Sequence, residues 1–273
     1  MKIPASCILS ILSIIFFCNS SFAQHTASKN VSTFTIEAPQ LDTIKQIWVY
    51  LPESYKTSEK KYPVLYLQDA QNVFDAATSY VGEWKVDETL DSLKLDLIVI
   101  GIEHGNAKRI DELTPFEHPE YKGGKADQYL TFITETLMPK VDSLYRVNTS
   151  PSQTFIGGSS LGGLFSFYAS LKHPELFGKA LVFSPSFWYS DEIYKFAEDL
   201  ESSKVGKQEL YFRAGEKESE TMVSLMNDMK KVMLLKLNSC SQINSASIPE
   251  GEHNEKLWAS LFPQAAQWLL EDN

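Results

Sequence analysis

A glycine-flanked serine in the middle of the chain has the spacing of a catalytic nucleophile. Residues 158–162 read Gly-Ser-Ser-Leu-Gly, after a short apolar run at 153–156 and before an amphipathic run that begins at Leu161. In this strand–turn–helix setting a G-x-S-x-G pattern places a serine hydroxyl on a sharp, exposed turn. The glycines are needed because side chains have no room where strand and helix converge. A Gly/Ser linker, the alternative, is not bracketed by such apolar runs.

The register of the motif selects Ser160. With Ser160 in the centre, Gly158 and Gly162 occupy both glycine positions, whereas Ser159 in the centre puts Leu161 where the last glycine belongs. A serine hydroxyl needs a base to accept its proton and an acid to orient that base. The sequence therefore predicts acyl-transfer chemistry with Ser160 as the nucleophile.

The base is sought among the histidines that follow the serine, because acid and histidine come later in the chain in proteins with this turn. Of five histidines, only His173 and His253 do so. His173 lies at the end of the helix that starts at the serine, far from the hydroxyl at about 1.5 Å per residue. His253 lies in a loop between the last predicted strand and the last predicted helix. We predict His253 as the base.

The acid is expected in the segment after the predicted strand at 209–212. Glu216, Glu218 and Glu220 all lie within reach of the strand end. Glutamates are also favoured at a helix N-terminus by the helix dipole, which accounts for at least two of the three. Glu218 is the preferred acid and Glu216 the reserve.

An ester carbonyl that is attacked by serine develops an oxyanion, which needs two N–H donors fixed in advance. One is expected from the backbone of Leu161, at the start of the helix. The other is expected in the loop 68–72 after the third predicted strand, at Ala70 or Gln71. An ordinary turn is the alternative for that loop.

Short apolar runs that favour strands alternate with helical patterns along most of the chain. The predicted strands are 31–38, 44–51, 62–67, 95–102, 153–156, 179–183, 209–212 and 243–248. The predicted helices are 83–93, 126–145, the run from Leu161, 191–200, 220–237 and 255–270. This alternation predicts a mostly parallel sheet with helices on both faces. We expect one domain over residues 24–273, with the irregular stretch 104–125 above the carboxyl ends of the strands, where ligands bind.

Residues 1–23 have the pattern of a secretory signal, with Lys2, an apolar run at 8–17 and Ser-Phe-Ala before Gln24. We therefore expect export, to the periplasm or the medium, and no membrane span after removal of the signal. A retained anchor or a lipid on Cys18 is the weaker alternative. Removal leaves Cys240 as the single cysteine, which we expect to be buried and structural.

The composition restricts partners and cofactors. The chain carries 25 basic and 35 acidic residues, a net charge of −10; without Lys2 the mature charge is 24 minus 35, or −11. An acidic chain without a basic cluster argues against a nucleic-acid partner. No two histidines stand at ligand spacing and no Cys-x-x-Cys occurs, so we expect no metal and no other cofactor.

Five stretches, in their order along the chain, carry a family resemblance. They are 63–75, 109–115, the serine motif, 184–188 (Ser-Pro-Ser-Phe-Trp) and 251–253 (Gly-Glu-His). Together they resemble the esterase D-like "putative esterase" family of α/β-hydrolases, in particular its siderophore (catecholate trilactone) esterase branch. The resemblance implies an α/β-hydrolase fold, with Ser160 as nucleophile, His253 as base and the acid at Glu218, third after Gly215. Family members often have glycine where this chain has Ala70.

Three further residues are candidates for binding substrate. Arg109 above the site can receive an anionic group of the substrate by a bidentate contact, or it can pair with Glu112 and brace the loop. Trp188 can form a wall of the acyl pocket or pack in the core.

The expected function is hydrolysis of a carboxylic ester through an acyl-enzyme, without metal or nucleotide. The substrate is expected to be a small-molecule or glycan ester, such as a siderophore ester or an acylated carbohydrate, in an open site without a large cap domain. An acyltransferase with the same three side chains and a non-catalytic binding module on the same scaffold are the alternatives.

Overall fold

The computed structural model describes residues 25–239 and 242–271, so the predicted signal at 1–23 and Cys240 lie outside the described residues. Strands and helices alternate through the described chain. The strands are β1 (Val31–Ala38), β2 (Thr43–Tyr50), β3 (Val64–Gln68), β4 (Ile98–Ile102), β5 (Glu117–His118), β6 (Lys122–Gly123), β7 (Thr154–Ser159), β8 (Lys179–Phe183), β9 (Glu209–Gly215) and β10 (Ile243–Ile248). The α-helices are α1 (Val86–Leu93), α2 (Arg109–Leu113), α3 (Ala126–Thr131), α4 (Met138–Leu144), α5 (Leu161–Lys172), α6 (Glu192–Asp199), α7 (Ser202–Val205), α8 (Met222–Leu234) and α9 (Glu255–Leu269).

One sheet has the strand order β1-β2-β4-β3-β7-β8-β9-β10. The β1–β2 and β2–β4 pairs are antiparallel, and every later neighbouring pair is parallel. The carboxyl ends of β3, β7, β8, β9 and β10 therefore lie along the same rim. This arrangement confirms the predicted α/β-hydrolase fold with a mostly parallel central sheet.

Both faces of the central strands are buried against helices. In β3, Leu65 and Leu67 pack with α1 and α9 on one face, whereas Val64 and Tyr66 pack with α3, α5 and α8 on the other. Alternate side chains of a strand point to opposite faces, so a strand covered on both sides must be apolar throughout. This is why the central strands were recognisable as continuous apolar runs.

The structure differs from the predicted elements mainly in the irregular regions. The helix predicted at 126–145 contains a π-helical segment, Phe132–Leu137, between α3 and α4, where Pro139 in the first turn of α4 has no N–H to donate. The stretch 104–125 contains the short helix α2 and the hairpin β5–β6, which the pattern did not predict. No helix of the described part of the chain is long and apolar enough to cross a bilayer.

Candidate active site

Ser160 lies at the sharp turn between β7 and α5. Its backbone has φ 58° and ψ −123°, a left-handed conformation that is unfavourable for a side chain larger than glycine. A Cβ atom on Gly158 would lie 2.7 Å from the backbone of Gly162, and one on Gly163 would lie 2.7 Å from the carbonyl oxygen of Phe183. The close approach of strand and helix thus requires glycine at these positions.

The structure brings Ser160, His253 and Glu218 together. The Oγ atom of Ser160 lies 3.0 Å from Nε2 of His253, and Nδ1 of His253 lies 2.8 Å from Oε2 of Glu218. The imidazole is one-third exposed and the Glu218 carboxylate is fully buried. These are the contacts of a nucleophile, its base and an orienting acid.

Glu218, and not the reserve Glu216, faces the histidine. Its second oxygen accepts hydrogen bonds from the backbone N–H of Gly215 and from Oγ of Ser184, the latter at 2.6 Å. Glu216 points away from the site, where its carboxylate accepts a bond of 2.7 Å from Ser247. Both oxygens of the Glu218 carboxylate are therefore held by directional donors.

Backbone hydrogen bonds continue across the rim of the sheet beyond the strand ends. The N–H of Ser160 donates to the carbonyl of Phe183 at 2.9 Å, and the N–H of Ser184 donates to the carbonyl of Arg213 at 2.6 Å. The N–H of Glu216 donates to Ile248 at 2.9 Å. The segments that carry the serine, the acid and the histidine are thus connected strand to strand.

Ser184 was missed as a site residue by the sequence reasoning. It has φ 44° at the end of β8, and its Oγ accepts a bond of 2.9 Å from Nε1 of Trp258 while it donates to Glu218. The ring of Trp258 lies edge-on to the imidazole of His253, with 5.1 Å between centroids. The segment 184–188 was noted for its resemblance, and this was the signal that could have identified Ser184.

Ser186 also lies next to the nucleophile. Its Oγ is 3.3 Å from Oγ of Ser160, and its N–H donates to the Ser160 carbonyl at 3.1 Å. It therefore helps to fix the strained turn from the β8 side.

The residues predicted to bind an oxyanion occupy different surroundings. Leu161 is the first residue of α5, so its N–H has no acceptor within the helix. Gln71 lines the cleft beside Ser160, whereas Ala70 is fully buried in the core. The side chain of Gln71 donates to the carbonyl of His104 and accepts from its N–H, which fixes the loop after β3.

A cleft of about 650 Å³ opens beside Ser160 and His253. Its walls are the loop after β3, residues 78–81, the segment before α2 and the start of α9. Arg109 lies in the wall and forms two bonds of 2.8 Å to the carboxylate of Asp69. Asp69 directly follows β3, a position that parallel-sheet topology places at the rim and that the sequence reasoning left unassigned.

The predicted pair between Arg109 and Glu112 does not form, and Glu112 does not line the cleft. Both oxygens of Glu112 accept from Nζ of Lys45, at 2.7 and 2.6 Å, and both side chains are almost fully buried. Glu112 also accepts from the N–H of Gly105 at 2.8 Å. The assignment of Glu112 to substrate binding was wrong because a lysine on β2, distant in sequence, neutralises it.

Trp188 does not line the cleft either. It is half-exposed and packs edge-on against Tyr121, with 5.9 Å between ring centroids. Neither the predicted acyl-pocket wall nor simple core packing describes this position.

Two further titratable groups in the cleft are shifted by burial. Burial lowers the pKa of His104 and raises the pKa of Glu255, which accepts a bond of 3.2 Å from the amide of Asn72. Both residues line the cleft, which is thus largely polar around the serine.

The fold is that of the α/β-hydrolases, and sequence comparison gives the family. The model of the family described as "Putative esterase" matches residues 39–269, and the chain belongs to that family. It is a carboxylic ester hydrolase with an α/β-hydrolase fold.

Individual relatives span most or much of the chain. The uncharacterized protein YbbA of Bacillus subtilis (strain 168) is 28% identical over 242 residues, which are 84% of this chain and 94% of that protein. The ferri-bacillibactin esterase BesA of the same organism is 29% identical over 202 residues, 66% of this chain and 68% of that protein. The crystal structure of the enterobactin esterase FES from Shigella flexneri in the presence of enterobactin has the same fold, with a TM-score of 0.74 and 17% identity over 89% of this chain and 59% of that one.

Proposed function

We propose that the chain hydrolyses its ester through an acyl-enzyme on Ser160, with His253 as general base and Glu218 as the orienting acid. The observation that carries this proposal is the continuous contact from Oγ of Ser160 through the imidazole to the buried carboxylate, at 3.0 and 2.8 Å. Glu218 accepts from Nδ1–H, which leaves Nε2 free to accept the serine proton.

The reaction then follows in two halves. Oγ attacks the ester carbon as Nε2 of His253 takes its proton, and the imidazolium gives that proton to the departing alcohol oxygen. A water molecule, deprotonated by the same nitrogen, then attacks the acyl carbon, and the imidazolium returns that proton to Oγ of Ser160 as the bond to the acid breaks. The N–H groups of Leu161 and Gln71 are the proposed donors to the oxyanion in both halves, because one begins α5 and the other belongs to the cleft wall.

For the substrate we propose an ester of the siderophore class. The relative BesA is named for the hydrolysis of ferri-bacillibactin, and the cleft is open enough for a bulky ester. Arg109 uses Nε and Nη2 for its two bonds to Asp69. The remaining N–H groups of the guanidinium can still donate to an anionic or phenolic oxygen of a catecholate.

The triad is tested with the variant Ser160→Ala and p-nitrophenyl acetate. We expect loss of the burst of p-nitrophenol and of labelling by a fluorophosphonate, with an unchanged melting temperature. Ser159→Ala, the other serine of the motif, is the matched control and should retain most of its activity. Undiminished turnover in Ser160→Ala would refute the proposal.

The substrate class is tested by comparing kcat/KM on a catecholate trilactone with that on an acetylated xylo-oligosaccharide. We expect the trilactone to be preferred by at least about tenfold, equivalent to one good polar contact. Equal or reversed preference would favour an acylated carbohydrate. Addition of an acceptor alcohol to both assays identifies an acyltransferase, because a transferase forms the new ester at the expense of the free acid.

We also propose that the protein is exported. The support is the leader pattern of residues 1–23. Mass spectrometry of the product from a secreting host should find a chain that begins near Gln24, and a chain that retains residues 1–23 in the cytoplasm would contradict export.

A further inference from the structure

Three carboxylates converge beside the cleft wall without taking part in the proposed reaction. Glu83 lies just before α1, and Asp87 and Glu88 lie in its first turn. One oxygen from each of the three lies within 4.8 Å of the others. Asp87 is fully buried, Glu83 is nine-tenths buried and Glu88 is partly buried.

Each of these side chains also carries a buried oxygen that lacks a hydrogen-bond partner in the described part of the chain: Glu83 Oε1, Asp87 Oδ1 and Glu88 Oε2. The opposite oxygens of two of them are held by the N-terminal segment. Thr26 donates its hydroxyl to Glu83 at 2.9 Å, and the N–H of Ser28 donates to Asp87 at 2.6 Å. The unpartnered oxygens therefore belong to side chains that are otherwise fixed in place.

No ion pair between the described residues neutralises this cluster. Lys85 is near enough to favour the charged form of Glu83, but it forms no salt bridge with it. Buried carboxylates without a cationic partner must either take up protons or bind a metal ion.

We propose that Glu83, Asp87 and Glu88 bind a divalent cation, and that the cation is calcium. Calcium takes oxygen ligands at roughly 2.3–2.6 Å, so oxygens on one ion lie no more than about 5 Å apart, which the cluster satisfies. The three unpartnered oxygens would supply part of the six to eight ligands that calcium takes, and water would supply the rest. Magnesium demands a regular octahedron at about 2.0–2.1 Å and retains several waters, which makes it the competing ion that the test must distinguish.

The ion would join three segments that meet at the active-site wall. They are the N-terminal segment at 26–28, the loop that ends at Glu83, and α1. Residues 78–81 of that loop line the cleft, and Trp84 packs against Trp258 with 5.9 Å between ring centroids. Calcium is thus expected to stabilise the fold and the wall of the cleft without contacting the ester.

The test is thermal unfolding of the whole purified chain after treatment with EDTA, followed by titration with CaCl2 up to about 10 mM, which exceeds the dissociation constants of roughly 0.1–1 mM of weak extracellular calcium sites. At saturation the melting temperature should rise by roughly 5 °C or more, and isothermal titration should show one site. The same shift is expected in Ser160→Ala, so the result is independent of the proposed triad.

Two variants remove ligands, and one serves as a control. Glu88→Gln and Asp87→Asn should lose the calcium-dependent shift, whereas Glu37→Gln, which changes an exposed carboxylate on β1, should retain it. If Asp87→Asn fails to fold, the partly exposed Glu88 still provides the test. Failure of the wild type to respond to calcium would overturn the proposal. So would an unchanged response in Glu88→Gln, and an equal shift with MgCl2 would overturn the choice of calcium.

Discussion

Glu218 and the cluster of Glu83, Asp87 and Glu88 are two carboxylate sites that are largely buried, and they differ in their partners. Glu218 is surrounded by donors: the Ser184 hydroxyl, the Gly215 N–H and the His253 ring. The cluster before and within α1 has oxygens that no described donor reaches. Burial is common to both, so burial alone does not make a carboxylate an orienting acid. Directional donors hold the Glu218 carboxylate aimed at the imidazole.

A third buried acid, Glu112, completes the comparison. It is paired with Lys45, whose Nζ donates to both of its oxygens. Its negative charge is thus used to hold β2 against α2 and is not available to another group. Glu218 is oriented by dipoles and Glu112 is paired with a cation of the chain, whereas one oxygen of each carboxylate in the cluster has neither kind of partner.

The largest effect is expected from Glu218→Gln. The amide presents an N–H to the histidine, which favours the tautomer with its proton on Nε2, so that Ser160 faces a donor instead of a base. We expect kcat to fall by about 10³–10⁴-fold with little change in melting temperature, as measured with p-nitrophenyl acetate. Glu216→Gln is the matched control and should retain wild-type activity. A loss in Glu216→Gln as large as in Glu218→Gln would contradict the assigned acid.

Glu112→Gln should affect stability and not the chemistry. It leaves the buried Lys45 without its counter-charge, which is expected to cost about 3–5 kcal/mol of unfolding free energy. Urea denaturation measures the change. The control is Glu117→Gln, which breaks the exposed pair with Lys122 and should cost less than about 1 kcal/mol. Equal costs in the two variants would show that the buried pair has no special role.

Ser184→Ala tests whether the donors of Glu218 matter. The variant leaves the indole N–H of Trp258 without its acceptor and Glu218 with one donor fewer, which should cost about 1–3 kcal/mol of stability. We expect kcat to fall about tenfold while KM is unchanged, because Ser184 acts through the acid and does not touch the substrate. Ser170→Ala, a fully buried serine within α5, controls for the loss of a buried hydroxyl. A drop in stability without a drop in kcat would limit Ser184 to a structural role.

The smallest effect concerns Glu255, whose pKa is raised by burial. A raised folded-state pKa favours the protonated form, so its contribution to stability is present below the unfolded pKa of about 4.5 and is lost as the pH rises through the folded value. Glu255→Gln removes this loss and can still accept from Asn72. Its melting temperature should match the wild type at pH 4 and exceed it by about 2 °C at pH 8. The reverse pH trend would show that the charged form is the stabilised one.

The sequence predicted the sheet, most helices and the residues that meet at the serine. These features depend on patterns within a few residues or on the order of elements along the chain. Strands β1 and β10 coincide with the predicted runs at 31–38 and 243–248. The glycines around Ser160 report a backbone constraint, and the position of His253 after the last strand follows from chain order. The strand and glycine signals are contained within a few residues, and the histidine signal needs only the order of elements along the chain.

Contacts between side chains of distant segments could not be predicted from local patterns or from the order of elements along the chain. Lys45 and Glu112 are 67 positions apart, and Arg109 chooses Asp69 on another loop over its neighbour Glu112. Such choices depend on which loops stack over the sheet, which no local pattern encodes. Ser184 was hidden for the same reason, since its role arises from Trp258, far along the chain.

The backbone hydrogen bonds along the rim fix the distances between the segments that follow the strands. Neighbouring strands repeat at about 4.8 Å, so a nucleophile after β7 and an acid carried by the segment after β9 start roughly 10 Å apart, whatever the loops do. The imidazole and its two hydrogen bonds span part of this distance between the two backbones. The acidic side chain must be long enough to span the rest. Aspartate, one methylene shorter, would have to be carried on a differently placed backbone to serve the same histidine.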